Sequence, residues 1–197
     1  MNSLTFSIAS TALFCFGTWA NTLPCRVSSD LLSSPVVGFQ AKEIGIVGAL
    51  HKNAGCIINR KGKTGENEFL MVASIEEGKK LWSMPGGKSA SLKNEIKSAK
   101  QKKTFTPSYE EPAACTASRE AFEETGNEVI VEKLIENTKY FAVFQCSFYN
   151  PEKVTLSKTF DPDNDIVDLD WHSLSELKGK KVPLRFPSDI VQFSKIK

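Results

Sequence analysis

The chain has 197 residues, which is enough for one domain with a sizeable hydrophobic core and too few for two ordinary domains. Hydrophobic residues make up 41% of it and charged residues 24%, which is typical of a soluble globular protein. The formal net charge of +2 gives no overall attraction to nucleic acid or to a membrane surface, so we expect no nucleic acid polymer as a partner.

The N-terminus has the composition of an export signal. Residues 4–19 are mostly apolar and uncharged, and Thr18 and Ala20 place small residues at the −3 and −1 positions of a signal-peptidase site. The stretch is short for a membrane span, and no Lys or Arg precedes it. We expect residues 1–20 to be a cleaved signal peptide and the mature protein to be periplasmic or secreted rather than cytoplasmic, without a stable membrane anchor. An uncleaved anchor and a buried N-terminal element are the alternatives.

Four cysteines remain after such a cleavage: Cys25, Cys56, Cys115 and Cys146. An even number in an exported protein permits disulfide bonds, in three possible pairings. Cys56 and Cys146 lie in strand-like segments, so this is the pair that we expect. The alternative is that the cysteines are ordinary buried thiols. Their spacing does not fit a zinc site.

Residues 21–45 begin with a serine- and proline-rich stretch and are predicted to be an N-terminal arm ahead of a domain at residues 46–197. Within the domain, residues 88–106 are rich in lysine and poor in large apolar side chains, so they can bury little surface. We interpret them as an inserted basic loop, with a short helix over residues 92–103. The loop is either a solvated surface or a contact for phosphate groups or an acidic partner.

Segments that are apolar, or that alternate between apolar and polar residues, predict strands. They lie at residues 54–59, 69–73, 81–84, 129–134, 140–149 and 166–171. Polar, glycine- or proline-containing stretches predict a hairpin loop at residues 60–68 and turns at residues 85–87 and 161–165. Strands and helices alternate irregularly, which favours an α/β (α+β) fold in which helices cover a mixed sheet.

Two helices have recognisable start and stop signals. The longer is predicted from Glu111, or alternatively Ser108, to Thr125, because Pro112 suits a first helical turn and Gly126 suits a left-handed end. A shorter helix is predicted at residues 173–177, where a serine at the N-cap and a glutamate three residues later can form a capping box.

Three carboxylates are predicted on one face of the longer helix. Glu120, Glu123 and Glu124 have the spacing i, i+3 and i+4, which brings their side chains together. Their mutual repulsion near the helix C-terminus, where the dipole disfavours anions, destabilises the helix. A hard divalent cation such as Mg²⁺, which prefers oxygen ligands, removes that penalty. The alternative is a solvated acidic face of a surface helix.

The residues around these carboxylates extend the pattern. From Glu111 to Gly126 the chain has E-x7-R-E-A-x-E-E-x-G, with Arg119 directly before the first of the three carboxylates. This resembles the Nudix box, whose usual form is G-x5-E-x7-R-E-U-x-E-E-x-G-U, where U is a bulky aliphatic residue. Ala121 and Asn127 depart from the two aliphatic positions.

The opening glycine of the box is displaced. Phe105 stands six positions before Glu111, where the family has that glycine, whereas the Pro-Gly-Gly-Lys sequence at residues 85–88 is similar to the usual opening of the box. Residues 88–110 therefore separate two parts that the family keeps five residues apart, and we interpret this as an insertion of the basic segment.

The resemblance implies a Nudix-like α/β/α sandwich. It also implies a hydrolase that depends on Mg²⁺, or alternatively Mn²⁺, and cleaves the diphosphate linkage of a nucleoside diphosphate derivative or a similar small molecule. Carried over onto this chain, the metal ligands are Glu120, Glu123, Glu124 and the backbone carbonyl of Gly86. The catalytic residues are Glu124, Glu123 and Arg119, the last of which holds carboxylates in place. The alternative for Arg119 is a surface ion pair of small energetic worth.

Other residues complete the expected site. Lys88, Gly87 and Glu111 are expected to contact the substrate, although Glu111 is alternatively structural. The general base is expected to be Glu124 or a late acidic residue such as Asp165.

Two alternatives stay open. Trp82 either stacks on a nucleobase or packs in the core. The protein is either the hydrolase or a catalytically weak Nudix-fold protein that binds a host or another partner through the basic insertion at residues 88–106. The complete set of box carboxylates favours the hydrolase.

Overall fold

The computed structural model describes residues 25–29, 31, 53–89, 111–156 and 165–196. Over these ranges the chain forms an eight-stranded sheet and three α-helices. The expected signal peptide at residues 1–20, the helix over residues 92–103 and most of the turn at residues 161–165 lie outside the described residues.

The strands are, in chain order, β1 (Arg26–Val27), β2 (Asn53–Lys61), β3 (Asn67–Glu76), β4 (Lys79–Ser83), β5 (Gly86–Gly87), β6 (Val129–Asn137), β7 (Phe141–Phe148) and β8 (Ile166–Ser173). The helices are α1 (Ala113–Thr125), α2 (Leu174–Lys178) and α3 (Asp189–Phe193). None of the helices in the described ranges is long and apolar enough to cross a membrane.

β2 connects two halves of the sheet. Its first part pairs in parallel with β7 and antiparallel with β5, whereas its last residues pair with β3. The strand order is β1-β6-β7-β2-β3-β4, and β8 pairs with β3. The β2–β3 hairpin is longer than the predicted strands, because Arg60 and Glu68 continue the pairing and their side chains meet at 2.8 Å. Parallel and antiparallel pairs coexist, which confirms the expected mixed sheet.

Each face of the sheet carries its own apolar core, as the alternation of side chains along a strand requires. Ile58 of β2 belongs to the core under α1, whereas its neighbour Ile57 belongs to the core under α2 and α3. In the second core Phe69 packs against Phe193, with ring centroids 4.9 Å apart. Helices therefore cover both faces, and the expected α/β/α sandwich is confirmed.

α1 approaches the sheet closely because the side that it presents is made of alanine. The helix ends as predicted: Gly126 has a φ of 73°, and its N–H donates to the carbonyl of Phe122. It begins after Pro112, whose backbone is extended, and so slightly later than the predicted start at Glu111. The buried alanines are Ala113, Ala114, Ala117 and Ala121.

Some short elements were not predicted. A turn was expected at residues 85–87, but Gly86 and Gly87 form β5 and pair with Gly55 and Ala54 of β2, so that prediction is wrong there. β1 and α3 were missed altogether. β1, within the expected N-terminal arm, pairs in parallel with β6, and the nearby Leu31 is only 5% exposed in the core under α1. α3 packs near the end of the chain. Strand and helix periodicity cannot be recognised over two or five residues, which is why the sequence pattern misses both.

Two disulfide bonds join the described cysteines. Cys56 pairs with Cys146 across the neighbouring strands β2 and β7, with Cα atoms 5.5 Å apart, which confirms the expected pair. Cys25 pairs with Cys115 in the first turn of α1, with Cα atoms 5.1 Å apart. Each bond joins residues that are 90 positions apart in the sequence.

Candidate functional site

Arg119 lies at the centre of the candidate site. Its guanidinium donates to the carboxylates of Glu111, Glu120 and Glu123 at 2.8–3.0 Å. It also donates to the backbone carbonyl of Lys88 at 2.7 Å. One side chain on α1 therefore gathers three predicted carboxylates and the chain that follows the glycine pair.

The surroundings of Arg119 keep it charged. Burial lowers its pKa, but the hydrogen bond to Glu111 and the negative charges of Glu111, Glu120 and Glu123 raise it, and the pKa stays above its ordinary value. Three carboxylates surround this one guanidinium, and Glu124 is a fourth beside them. The cluster therefore has excess negative charge and attracts cations.

Glu111 anchors the guanidinium. Its Oε1 accepts from Nε of Arg119 at 2.8 Å, and its Oε2 accepts from Nη2 at 3.0 Å. Oε2 also accepts from Oγ1 of Thr116 at 3.0 Å. Glu111 is 4% exposed, and a carboxylate at such depth is stable only when it is paired and hydrogen-bonded. The two parallel hydrogen bonds fix the plane of the guanidinium.

The glycine pair lies beside the second half of α1. The backbone N–H of Gly86 donates to Oε2 of Glu124 at 2.8 Å. A side chain at Gly86 would collide with the backbone of Gly55 and Ala54, so this position requires glycine, whereas a side chain at Gly87 would have to displace the carboxylate of Glu120. The structure thus brings residues 86–87 to the helix although residues 88–110 separate them in sequence.

The donor set suits a hard divalent cation. Glu120, Glu123 and Glu124 offer carboxylate oxygens, and Gly86 adds a carbonyl. Among the described residues, no group of three or more Asp, Glu, His or Cys side chains is arranged to enclose a metal ion. Nη1 of Arg119 lies between Glu120 and Glu123, 2.8 Å from an oxygen of each, and occupies the place between these carboxylates.

Three further residues were candidates from the sequence: Lys88, Trp82 and Asp165. The side chain of Lys88 is exposed, and its backbone carbonyl is the part that Arg119 binds. Trp82 is 7% exposed and packs edge-on against His172, with ring centroids 4.6 Å apart, so the core alternative is confirmed for it. Asp165 is exposed at the start of β8.

Asn127 has a role that the sequence pattern does not reveal. Its side-chain amide donates to the carbonyl of Thr155 at 3.0 Å and accepts from the N–H of Thr155 at 3.2 Å. It also donates to the carbonyl of Thr125. Where the box has an aliphatic residue, this chain therefore has an amide that joins the end of α1 to residues 154–156. A polar residue directly after the helix-ending glycine was the available signal.

Comparisons with known proteins bear on the family and the fold of the chain. A family model described as the NUDIX domain matches residues 49–190. A NUDIX hydrolase from Nitrosomonas europaea is similar in structure, with a TM-score of 0.50 and 20% identity, over 73% of this chain and 86% of that chain. The Ap4A hydrolase of C. elegans has a TM-score of 0.43 and 22% identity, over 74% and 97%. An ADP-ribose pyrophosphatase from Streptococcus suis has a TM-score of 0.47 and 14% identity, over 75% and 93%. No curated protein sequence matches the chain.

Proposed function

Because the chain belongs to the Nudix hydrolase family, we propose that it is a Mg²⁺-dependent enzyme that cleaves the diphosphate linkage of a nucleoside diphosphate derivative or a similar small compound. The observation that carries the proposal is the meeting of the glycine pair with the α1 carboxylates: Gly86 binds Glu124, and Gly87 lies against Glu120. A solvated acidic face would not need a strand of two glycines packed against it.

The proposed metal ligands are the carboxylates of Glu120, Glu123 and Glu124 and the carbonyl of Gly86, with Mn²⁺ as an alternative ion. When bound, the ion neutralises charge on the diphosphate and lowers the pKa of a bound water. Glu120 supports this role by its burial, since it is 5% exposed and is directed at the glycine pair rather than at solvent. Gly87 and Lys88 are proposed to contact the substrate.

Arg119 and Glu111 are proposed to position the ligands. Arg119 remains attached to Glu111 through Nε and Nη2 whichever groups its Nη1 binds. Glu120 and Glu123 can therefore turn towards a cation while the guanidinium stays in place. Glu111, with both oxygens engaged by Arg119 and Thr116, serves this anchoring role better than a direct contact with the substrate.

Glu124 is the proposed general base, with Asp165 as the alternative. The N–H of Gly86 fixes Oε2 of Glu124 and so restricts the rotation of the carboxylate. That restriction would keep the group aligned towards a nearby water without further cost in side-chain entropy.

A turnover assay tests this function. Release of phosphate or monophosphate from a panel of nucleoside diphosphate derivatives is measured with Mg²⁺, with Mn²⁺ and with a chelator. We expect Glu124→Gln to reduce turnover by about a hundredfold. Glu152→Gln, the same change at an exposed glutamate, is the matched control and should leave turnover intact. If the wild type and Glu124→Gln release product equally slowly, the enzyme proposal fails and the alternative of a binding protein is favoured.

We also propose that the mature protein is exported. Disulfide bonds persist in oxidising compartments, and both described bonds join positions that only the folded chain brings together. Mass mapping under non-reducing conditions tests this. Protein that retains residues 1–20, or that has free thiols at these four cysteines, contradicts export.

A further inference from the structure

The segment before the domain is firmly attached to the sheet. β1 pairs with Ile130 and Val131 of β6, and the N–H of Ser28 donates to the carbonyl of Val131 at 2.9 Å. Oγ of Ser28 donates to the carbonyl of Glu132 at 3.0 Å. Leu31, three residues later, is buried in the core under α1. Residues 26–28 are therefore held by β6, and Leu31 is held by the core under α1.

Cys25 begins this segment, and its disulfide bond reaches Cys115 in the first turn of α1. The start of the helix is thus covalently joined to the edge of the sheet. Cys115 lies four residues after Glu111 and five before Glu120 in the sequence. The bond consequently fixes the part of α1 that precedes the candidate metal ligands.

The other ties between α1 and the glycine pair are not covalent. They include the contact of Arg119 with the carbonyl of Lys88, the contact of Glu124 with the N–H of Gly86 and the approach of Glu120 to Gly87. The chain itself supplies no short connection, since residues 88–110 stand between Gly87 and Glu111. The helix side that faces the sheet is alanine, which buries less apolar area per residue than larger side chains do.

Resting on the function proposed above, we propose that Cys25 and Cys115 are positioning residues whose disulfide bond holds α1 in register with Gly86 and Gly87, so that the metal site is fully formed only in the oxidised protein. A dithiol reverses this: its two thiols are oxidised to a disulfide, and two electrons and two protons pass to the sulfurs of Cys25 and Cys115. Both cysteines are half-buried, whereas Cys56 and Cys146 are 0% and 2% exposed, so a dithiol reaches the first bond first.

The second disulfide bond supplies a matched control. It also spans 90 residues, so its removal releases about the same entropy in the unfolded chain. However, it joins β2 to β7, which are already paired, and its Cys56 sulfur lies beneath α1, 3.6 Å from the carbonyl of Ala117. Alanine has the highest helix propensity, so Cys115→Ala does not weaken the helix by itself.

The experiment compares Cys25→Ala/Cys115→Ala with Cys56→Ala/Cys146→Ala in the full mature chain. Hydrogen exchange is measured for α1 and for β2 and β7, and binding of Mn²⁺ alone is measured by electron paramagnetic resonance. In the first variant we expect α1 amides to exchange about tenfold faster relative to the strands, and Mn²⁺ to bind roughly tenfold more weakly. In the control we expect any loss of protection to be spread over helix and strands alike.

Unchanged exchange of α1 relative to the strands in Cys25→Ala/Cys115→Ala overturns the proposal, whether or not the wild type hydrolyses diphosphates. If that variant does not fold, mild dithiol treatment of the wild type gives the same comparison, and reoxidation must restore both α1 protection and Mn²⁺ affinity. A wild type that binds no Mn²⁺ and hydrolyses no diphosphate defeats the proposed function, while the exchange of α1 still decides the positioning role.

Discussion

The two faces of the sheet are held together by different physical means. Under α2 and α3, large apolar side chains such as Phe69, Met71 and Phe193 are fully buried. Under α1 the helix presents alanines, and ion pairs around Arg119 and a disulfide bond tie it to its neighbours. Apolar burial stabilises in proportion to area and has little directional preference, whereas hydrogen-bonded ion pairs and covalent bonds fix direction. One face is therefore suited to supply stability and the other to hold side chains in position.

Truncation of a fully buried ring in the core under α2 and α3 should affect stability most. Phe193→Ala removes a fully buried ring that packs on Phe69, so we expect the free energy of unfolding to fall by about 3–5 kcal/mol in urea denaturation. At a temperature at which the variant is folded, turnover should remain within about twofold of the wild type. The reason is that Phe193 and the carboxylates of α1 share no partners. A large loss of turnover in the folded variant would mean that the two faces are not separable.

A conservative change of Arg119 in α1 should instead reduce turnover more than stability. Arg119→Lys keeps the positive charge but cannot serve Glu111, Glu120 and Glu123 at once, so we expect kcat/KM to fall by roughly tenfold or more. The loss of stability should be smaller than for Phe193→Ala. Arg185→Lys, at an exposed arginine that pairs with Glu76, is the control. Equal effects of the two Arg→Lys changes would indicate that the Arg119 network does not position the ligands.

A further prediction concerns the pH dependence of stability on the face under α3. Burial, and then the charge of Glu136, raise the pKa of Asp189 to about 7. An unfolded aspartate has a pKa of about 3.9, so the folded state binds more protons between these values. The stability contributed by the protonated carboxyl is complete below about pH 4 and is lost as the pH rises through about 7.

Asp189→Asn should remove this part of the pH dependence. Urea denaturation at about pH 5 and about pH 8 measures it, since these values lie on either side of the folded-state pKa. Glu136 is itself bound by Lys195 and Gln192, which lower its pKa and keep it charged near Asp189. If the free energy of unfolding differs between the two pH values by the same amount in Asp189→Asn as in the wild type, the titrating group lies elsewhere.

Local patterns in the sequence predict the parts of the fold that local physics determines. The end of α1 at Gly126 and the capping box at Ser173 and Glu176 are both confirmed, because each depends on residues within one helical turn. The Cys56–Cys146 pair is confirmed as well, since both cysteines lie in recognisable strands. These features need no knowledge of the distant chain.

The remainder depends on contacts between distant residues. β1 forms by pairing with the distant strand β6. The hydrogen bond from the Asn127 side chain to Thr155 joins positions that are 28 residues apart. The place of Arg119 between Glu120 and Glu123, with a further bond to Lys88, follows from the packing of β5 against α1. The motif identifies the residues of the candidate site but cannot show which groups the Arg119 guanidinium binds.

The connectivity of the two disulfide bonds has a consequence for how the protein matures. Of the four described cysteines, the first pairs with the third and the second with the fourth, so the two covalent loops interleave along the chain. In an unfolded chain, shorter loops close more readily, which favours Cys25 with Cys56 and Cys115 with Cys146. Neither of these early bonds belongs to the native set.

Correct oxidation must therefore follow the assembly of the sheet, or else pass through thiol–disulfide exchange that undoes the early bonds. Acid-quenched mapping of bonds during oxidative refolding would distinguish the two routes, because only the second accumulates sequential pairs. A cell that produces this protein by the second route needs a disulfide isomerase in the same compartment, and its absence would limit yield rather than stability.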